Sequence, residues 1–191
     1  MIVSAVILAA AAAAVNAVYF RIKRDKLFFP VISAVIFSVI ISILLFNKLD
    51  MLNYVKTFAV FSLLHLCGTN DIIRRQSDNI FPVLIIAVGL IMPANLIYML
   101  ISFAVITIMF IIIVVMSKQT IGGGDIKMIC ALSFFFGIHI TIAAVIIACI
   151  IGIIFSASAK FAAKLPSFSK RYPFLPSVEA GFLIALLLQI Y

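Results

Sequence analysis

Apolar residues run along this chain in long unbroken blocks, with polar residues gathered in short clusters between them. Eight blocks stand out, at about 2–20, 28–46, 52–70, 79–92, 94–116, 126–138, 139–159 and 174–191. None alternates apolar with polar residues as a lipid-facing barrel strand would; Ile101–Met116, for example, runs straight through Ile111-Ile112-Ile113-Val114-Val115. Continuous runs of roughly 20 residues fit helices crossing hydrocarbon, where each backbone N–H and C=O must find its partner within the segment. That requirement overrides the weak helix preference of the many β-branched residues. The block 94–116 is long enough for a full crossing, whereas 79–92 and 126–138 are short and read as tilted, shallow or re-entrant helices. The predicted fold is all-α: a polytopic transmembrane helical bundle of about eight apolar helices, six full spans plus two short ones. It forms a single membrane-embedded domain over 1–191 with no soluble domain.

Composition makes the solvent explicit. Hydrophobic residues form 66% of the chain and charged ones 10%, with a mean hydropathy of +1.38. A soluble domain carries roughly 45–50% apolar and 25% charged residues. The lipid bilayer is therefore the partner for most of this surface.

The charges set a direction. The first block has no basic residue before it and Arg21, Lys23, Arg24 and Lys26 after it, the reverse of a signal peptide; it reads as a retained helix with its N-terminus outside. Eight crossings then put Arg21, Lys23, Arg24, Lys26, Arg74, Arg75, Lys118, Lys127, Lys160, Lys164, Lys170 and Arg171 on one side, twelve of the fourteen basic residues. Lys48 and Lys56 fall on the other. This bias marks the first side as cytoplasmic, and a six-crossing arrangement with 126–159 re-entrant keeps it. Basic loops against an anionic leaflet account for the net charge of +8 without a nucleic-acid partner.

The cysteines, Cys67, Cys130 and Cys149, form no CxxC pair and read as small buried hydrophobes. His65 and His139 lie too far apart for metal-ligand spacing. No metal or other cofactor is called for. Six acids remain, and an acid near hydrocarbon calls for a reason. Asp25 sits among cations and Asp50 beside Lys48, so both read as solvated or paired loop residues. Asp71 ends the third block and Asp125 opens the sixth, both at the cytoplasmic level. Two carboxyls brought close cannot both ionise cheaply, and one acid beside one carboxylate is the pairing that activates water and polarises a peptide carbonyl. The run Gly122-Gly123-Gly124 before Asp125 permits positive φ and close approach of a substrate backbone. The alternative is a flexible loop with Asp125 as an ordinary helix N-cap. No GxxxxGK[ST] phosphate loop is present.

Taken together, these residues resemble a known family. Gly122-Gly123-Gly124-Asp125-Ile126-Lys127 is similar to the GxGDxK signature of the type IV prepilin peptidases, GxGD-type membrane aspartic peptidases. Asp71, followed by Arg74 and Arg75 and then Ser77-Asp78-Asn79, resembles the family's earlier aspartate, although the proline usual in that turn is missing and Asp78 stands in its place. Asn16-Ala17-Val18-Tyr19-Phe20-Arg21, Phe29-Pro30-Val31 and Pro173-Phe174-Leu175-Pro176 with Gly181 resemble further family stretches, so the likeness covers nearly the whole chain. It implies Asp71 and Asp125 as the catalytic pair, Gly122, Gly123, Gly124 and Lys127 as the site loop, and a prepilin or pseudopilin as substrate. The enzyme would cleave where a short basic leader meets an apolar helix, in type IV pilus or type II secretion systems, at the inner membrane. The Cys-rich loop of the bifunctional members is absent, which implies a peptidase without N-methyltransferase activity.

Asp78 reads as an N-cap for a helix with Pro82 in its first turn, with binding of a basic leader as the alternative. Glu179, where the family has an apolar residue, reads as a partner of Lys170 or Arg171, with substrate binding as the alternative. The rival function is a non-catalytic membrane protein, a small transporter or an assembly subunit. Transporters place ionisable residues at the midplane, and here the acids gather at one surface.

Overall fold

The computed structural model describes residues 2–22, 28–45, 49–74, 78–93, 95–116, 122–161 and 173–190. These form eight helices: α1 (Ile2–Ile22), α2 (Phe28–Leu45), α3 (Met51–Arg74), α4 (Ile80–Leu90), α5 (Leu96–Met116), α6 (Gly123–Phe136), α7 (Ile138–Phe161) and α8 (Leu175–Ile190). There is no strand among the described residues. Each helix matches one apolar block to within a few residues, because backbone satisfaction in lipid leaves the apolar runs one regular conformation.

The expected six full spans are not confirmed by the described helices. Among the described residues, three helices are long and apolar enough to cross a membrane: Met51–Arg74, Leu96–Met116 and Ile138–Ser158. The apolar stretches Pro30–Leu45, Ile80–Leu90 and Leu175–Gln189 are shorter. At 1.5 Å per residue, the 11 residues of α4 rise only about 16 Å, far less than the roughly 30 Å of a hydrocarbon core.

The bundle is built around α3, which packs against α2, α4 and α8. Half of its span is buried, against 17% for α5 and for α7. Phe58, Phe61 and Leu64 of α3 meet Ile85 of α4, Ile106 of α5, Met128, Ile129 and Leu132 of α6 and Phe182 of α8 in one core. The outer faces stay apolar: Ile97, Ile101, Ile108 and Val115 of α5 and Ile146, Ile150 and Ile153 of α7 are exposed. Such a surface needs lipid around it. Cys67 and Cys130 are buried as expected, but Cys149 lies exposed on α7, because its helical position faces outward.

Without a hydrophobic force between helices in lipid, close packing rests on small residues. Gly181 of α8 lies against α7 so closely that a Cβ there would come 2.4 Å from the Ala144 carbonyl oxygen. Gly137, the single residue between α6 and α7, has φ +82, and a Cβ on it would meet the Tyr98 ring at 2.7 Å.

The polar contacts sort the helix ends into two levels. The ends of α1 and α3 and the starts of α4, α6 and α8 share one level: Tyr19 donates a hydrogen bond to the Asp78 carboxylate, and Leu175 donates one to Asp71. At the opposite level, Lys56 of α3 donates to the backbone oxygens of Ile91 (3.4 Å) and Met92 (3.2 Å) just beyond α4. Of the basic residues behind the charge bias, Lys23, Arg24, Lys26, Arg75, Lys118, Lys164, Lys170, Arg171 and the Lys160 side chain lie outside the described set, as do Asp25 and Lys48.

Candidate active site

Asp71 lies in the last turn of its helix, with α3 running on to Arg74. The carboxyl leaves the helix three residues before the last turn closes, half-buried, at the level where α8 begins. Oδ2 accepts a hydrogen bond from the Leu175 N–H at 3.4 Å. The start of α8 shows why that donor is available. Its Ser177 and Val178 N–H groups donate to the Phe174 carbonyl (3.0 and 3.1 Å), and Pro176 has no N–H. Leu175 therefore carries the helix-terminal donor that the chain's own backbone does not claim, and a carboxylate is the favoured acceptor there.

Asp125 occupies the first turn of α6, a 14-residue helix outside the three spans. That helix starts at Gly123 rather than at Ile126, so two of the three glycines belong to it. The residue in the N-cap position is Gly122, and Asp125 is the third residue of the helix, not its cap. Its N–H and that of Ile126 both donate to the Gly122 carbonyl (3.1 and 3.3 Å).

Gly122 has ordinary extended geometry, φ −65 and ψ 125, so the expectation of a positive φ fails at this residue. Space is the reason instead. A Cβ on Gly122 would sit 2.9 Å from Oδ2 of Asp125, whereas a Cβ on Gly123 would meet nothing within 4 Å. One glycine admits the carboxylate; the next leaves open room beside it.

The two acids interact. Burial first, and the Asp71 carboxylate second, push the Asp125 carboxyl from an ordinary value of 3.8 up to about 6. This is the behaviour of a carboxyl pair in which one member keeps a proton. Lys127 is exposed and donates to Oδ1 of Asn79 at 3.0 Å, tying the start of α6 to the start of α4. Gly124 lies in the first turn of α6.

Asp78 is placed differently from expectation, while the expected partners of Glu179, Lys170 and Arg171, lie outside the described residues. Asn79, not Asp78, precedes α4, and it makes no side-chain cap; the Asp78 carboxylate is drawn instead to the Tyr19 hydroxyl of α1. Glu179 is buried, and its partner among the described residues is His65 of α3, 2.8 Å away. Among the described residues no cluster of three or more His, Cys, Asp or Glu could hold a metal.

A model of the type IV leader peptidase family matches residues 58–157, more than half of the chain, including α4, α5, α6 and both aspartates. The chain belongs to the type IV leader peptidase family. No curated protein and no solved structure gives a match. With its long apolar helices, this family member is a membrane protein of a peptidase class. The matched region omits α8, yet this leader peptidase draws on α8 for the donor that meets Asp71.

The sequence left four of these polar partners unseen: Tyr19 for Asp78, Asn79 for Lys127, His65 for Glu179 and the Leu175 N–H for Asp71. A histidine inside an apolar run was a signal for one of them. Its partner, 114 residues away, carried no matching signal in spacing.

Proposed function

We propose that the protein is a membrane aspartic endopeptidase that removes the short basic leader of prepilin-like proteins, with Asp71 and Asp125 as its catalytic pair. The observation that carries this reading is the coupling of the two carboxyls at one level of the bundle in a leader-peptidase chain. Asp125, with its raised affinity for a proton, suits the acid that polarises the scissile carbonyl. Asp71, facing the N-terminus of α8, suits the carboxylate that takes a proton from water. The pair titrates jointly, so these roles describe the resting protonation and exchange during turnover.

The open space beside Gly123 supports approach by an extended substrate backbone. The apolar helix of a prepilin would lie against the bundle in lipid, and its basic leader would stay at the level of Asp71. The charge bias favours the cytoplasmic face of the inner membrane for that level, where Gly122, Gly123, Gly124 and Lys127 frame the approach to Asp125. The reaction needs no metal or other cofactor, and the short α1–α2 connection favours a peptidase without methyltransferase activity.

Asp71→Asn and Asp125→Asn, each co-expressed with a prepilin, test the assignment. Both should abolish processing while membrane insertion stays normal. Cleavage persisting in both variants overturns it.

A further inference from the structure

Glu179 is a buried carboxyl, 7% exposed, inside an apolar bundle. A carboxylate left alone in such a place is destabilising by several kcal/mol, so its partners carry information. His65 Nδ1 lies 2.8 Å from Oε1. The same imidazole is held from its other side by Ser33 of α2, 3.2 Å from Nε2, and lies flat on the Phe37 ring with centroids 4.6 Å apart. Thr69 Oγ1 donates to the His65 carbonyl at 2.8 Å, one turn toward Asp71. Side chains from α2, α3 and α8 thus converge on one imidazole.

This cluster sits on the same two helices as the Asp71 contact. His65 precedes Asp71 by six residues, about 9 Å along α3, and Glu179 follows Leu175 by four, about 6 Å along α8. The α3–α8 contact therefore has two polar rungs, His65 to Glu179 below and Asp71 to the Leu175 N–H above. Gly68 lies between them. A Cβ on Gly68 would come within 3.3 Å of Glu179 Oε2, 3.6 Å of the Pro176 nitrogen and 3.8 Å of the Leu175 carbonyl carbon. The glycine is the gap through which the first turn of α8 reaches α3.

We propose that His65 and Glu179 are a positioning pair. Their bond fixes the height of α8 against α3, so that the Leu175 N–H meets Oδ2 of Asp71 and holds that carboxylate in its working orientation. Neither side chain touches substrate; both act through the α8 N-terminus. The proposal rests on Asp71 being catalytic.

Leader cleavage by the full chain in lipid vesicles tests it, with kcat and KM measured separately and Asp71→Asn in the same assay. Glu179→Ala and His65→Ala should each lower kcat at least tenfold and leave KM within threefold. Glu179→Gln, which keeps an acceptor oxygen for His65, should recover most of that loss. Leu175→Pro removes the upper donor directly at a helix start that tolerates proline, and it should lower kcat by a similar factor. Glu179→Ala placed on top of Leu175→Pro should then cost little more, because both break one linkage.

Full additivity of the two substitutions overturns the proposal, as does a Glu179→Gln variant as slow as Glu179→Ala. If Leu175→Pro does not fold, the Glu179→Ala against Glu179→Gln comparison decides alone. An active Asp71→Asn would sink the catalytic assignment itself, an outcome distinct from failure of the positioning pair.

Discussion

The raised affinity of Asp125 for its proton sets how the peptidase responds to pH. With the carboxyl pushed up to about 6 by burial and by the Asp71 charge, Asp125 keeps its proton below that value. Above it that proton leaves, and with it, on the proposed assignment, the acid that polarises the substrate carbonyl. The kcat/KM profile of the free enzyme should therefore have a basic limb centred near pH 6, falling to about a tenth of its plateau at pH 7 and about a hundredth at pH 8. Cleavage of a prepilin by purified protein in vesicles, buffered from pH 4.5 to 8.5 at constant ionic strength, reads this limb directly.

The two causes can be separated. In Asp71→Asn the neighbouring charge is gone but burial remains, and burial is the larger cause. The Asp125 carboxyl, followed by carbon-13 resonance or infrared titration, should then ionise below about 6 and still above 3.8. Stability follows with a definite sign. The folded state keeps a proton that the unfolded chain has released between pH 4 and 6, so stability falls as pH rises through that window. The ceiling is roughly 3 kcal/mol, reduced toward about 1 kcal/mol because water still reaches the half-buried carboxyl. A profile flat from pH 5 to 8, or an Asp125 that titrates near 4 in the unaltered protein, refutes the reasoning.

Two glycines give further tests. Gly122→Ala puts a methyl 2.9 Å from Oδ2 of Asp125, so the carboxylate must rotate away; leader cleavage should drop at least tenfold while the thermal unfolding midpoint stays within a few degrees. Gly181→Ala drives a methyl to 2.4 Å from the Ala144 carbonyl oxygen and forces α7 from α8; unfolding in denaturing detergent should show a loss of roughly 1–3 kcal/mol.

The helices were legible because each is a mostly apolar run bounded by charged residues, by Pro93-Ala94-Asn95 or by Gly137. Their exact starts were less so. Ile126 looked like the start of α6, since glycines usually argue against helix, yet Gly123 and Gly124 lie in its first turn, and the glycine that leaves room for the Asp125 carboxylate is Gly122, just before it. Asp71 looked like a helix end because the apolar run stops there, while the hydrogen-bonded helix continues through Ile72 and Ile73 to Arg74. Six full spans were expected and three are found among the described residues, since hydropathy records apolar character and not the depth a short helix reaches. For Glu179, a basic residue nearby in sequence was the natural partner to expect. In the fold, α8 lies along α3, and among the described residues the partner of Glu179 is the His65 imidazole on that helix.

That last contrast bears on how an apolar bundle keeps an acid site in order. Water cannot satisfy a misplaced carboxyl inside hydrocarbon, so a contact between two helices that carries a polar rung has few alternative registers: a slip of one residue would strand Glu179 against apolar neighbours and withdraw the Leu175 N–H from Asp71. Apolar packing alone gives no comparable penalty, because lipid chains compete with it on nearly equal terms. On the proposed roles, the buried polar pair one to two turns from Asp71 supplies the positional selectivity that the surrounding isoleucines and phenylalanines do not.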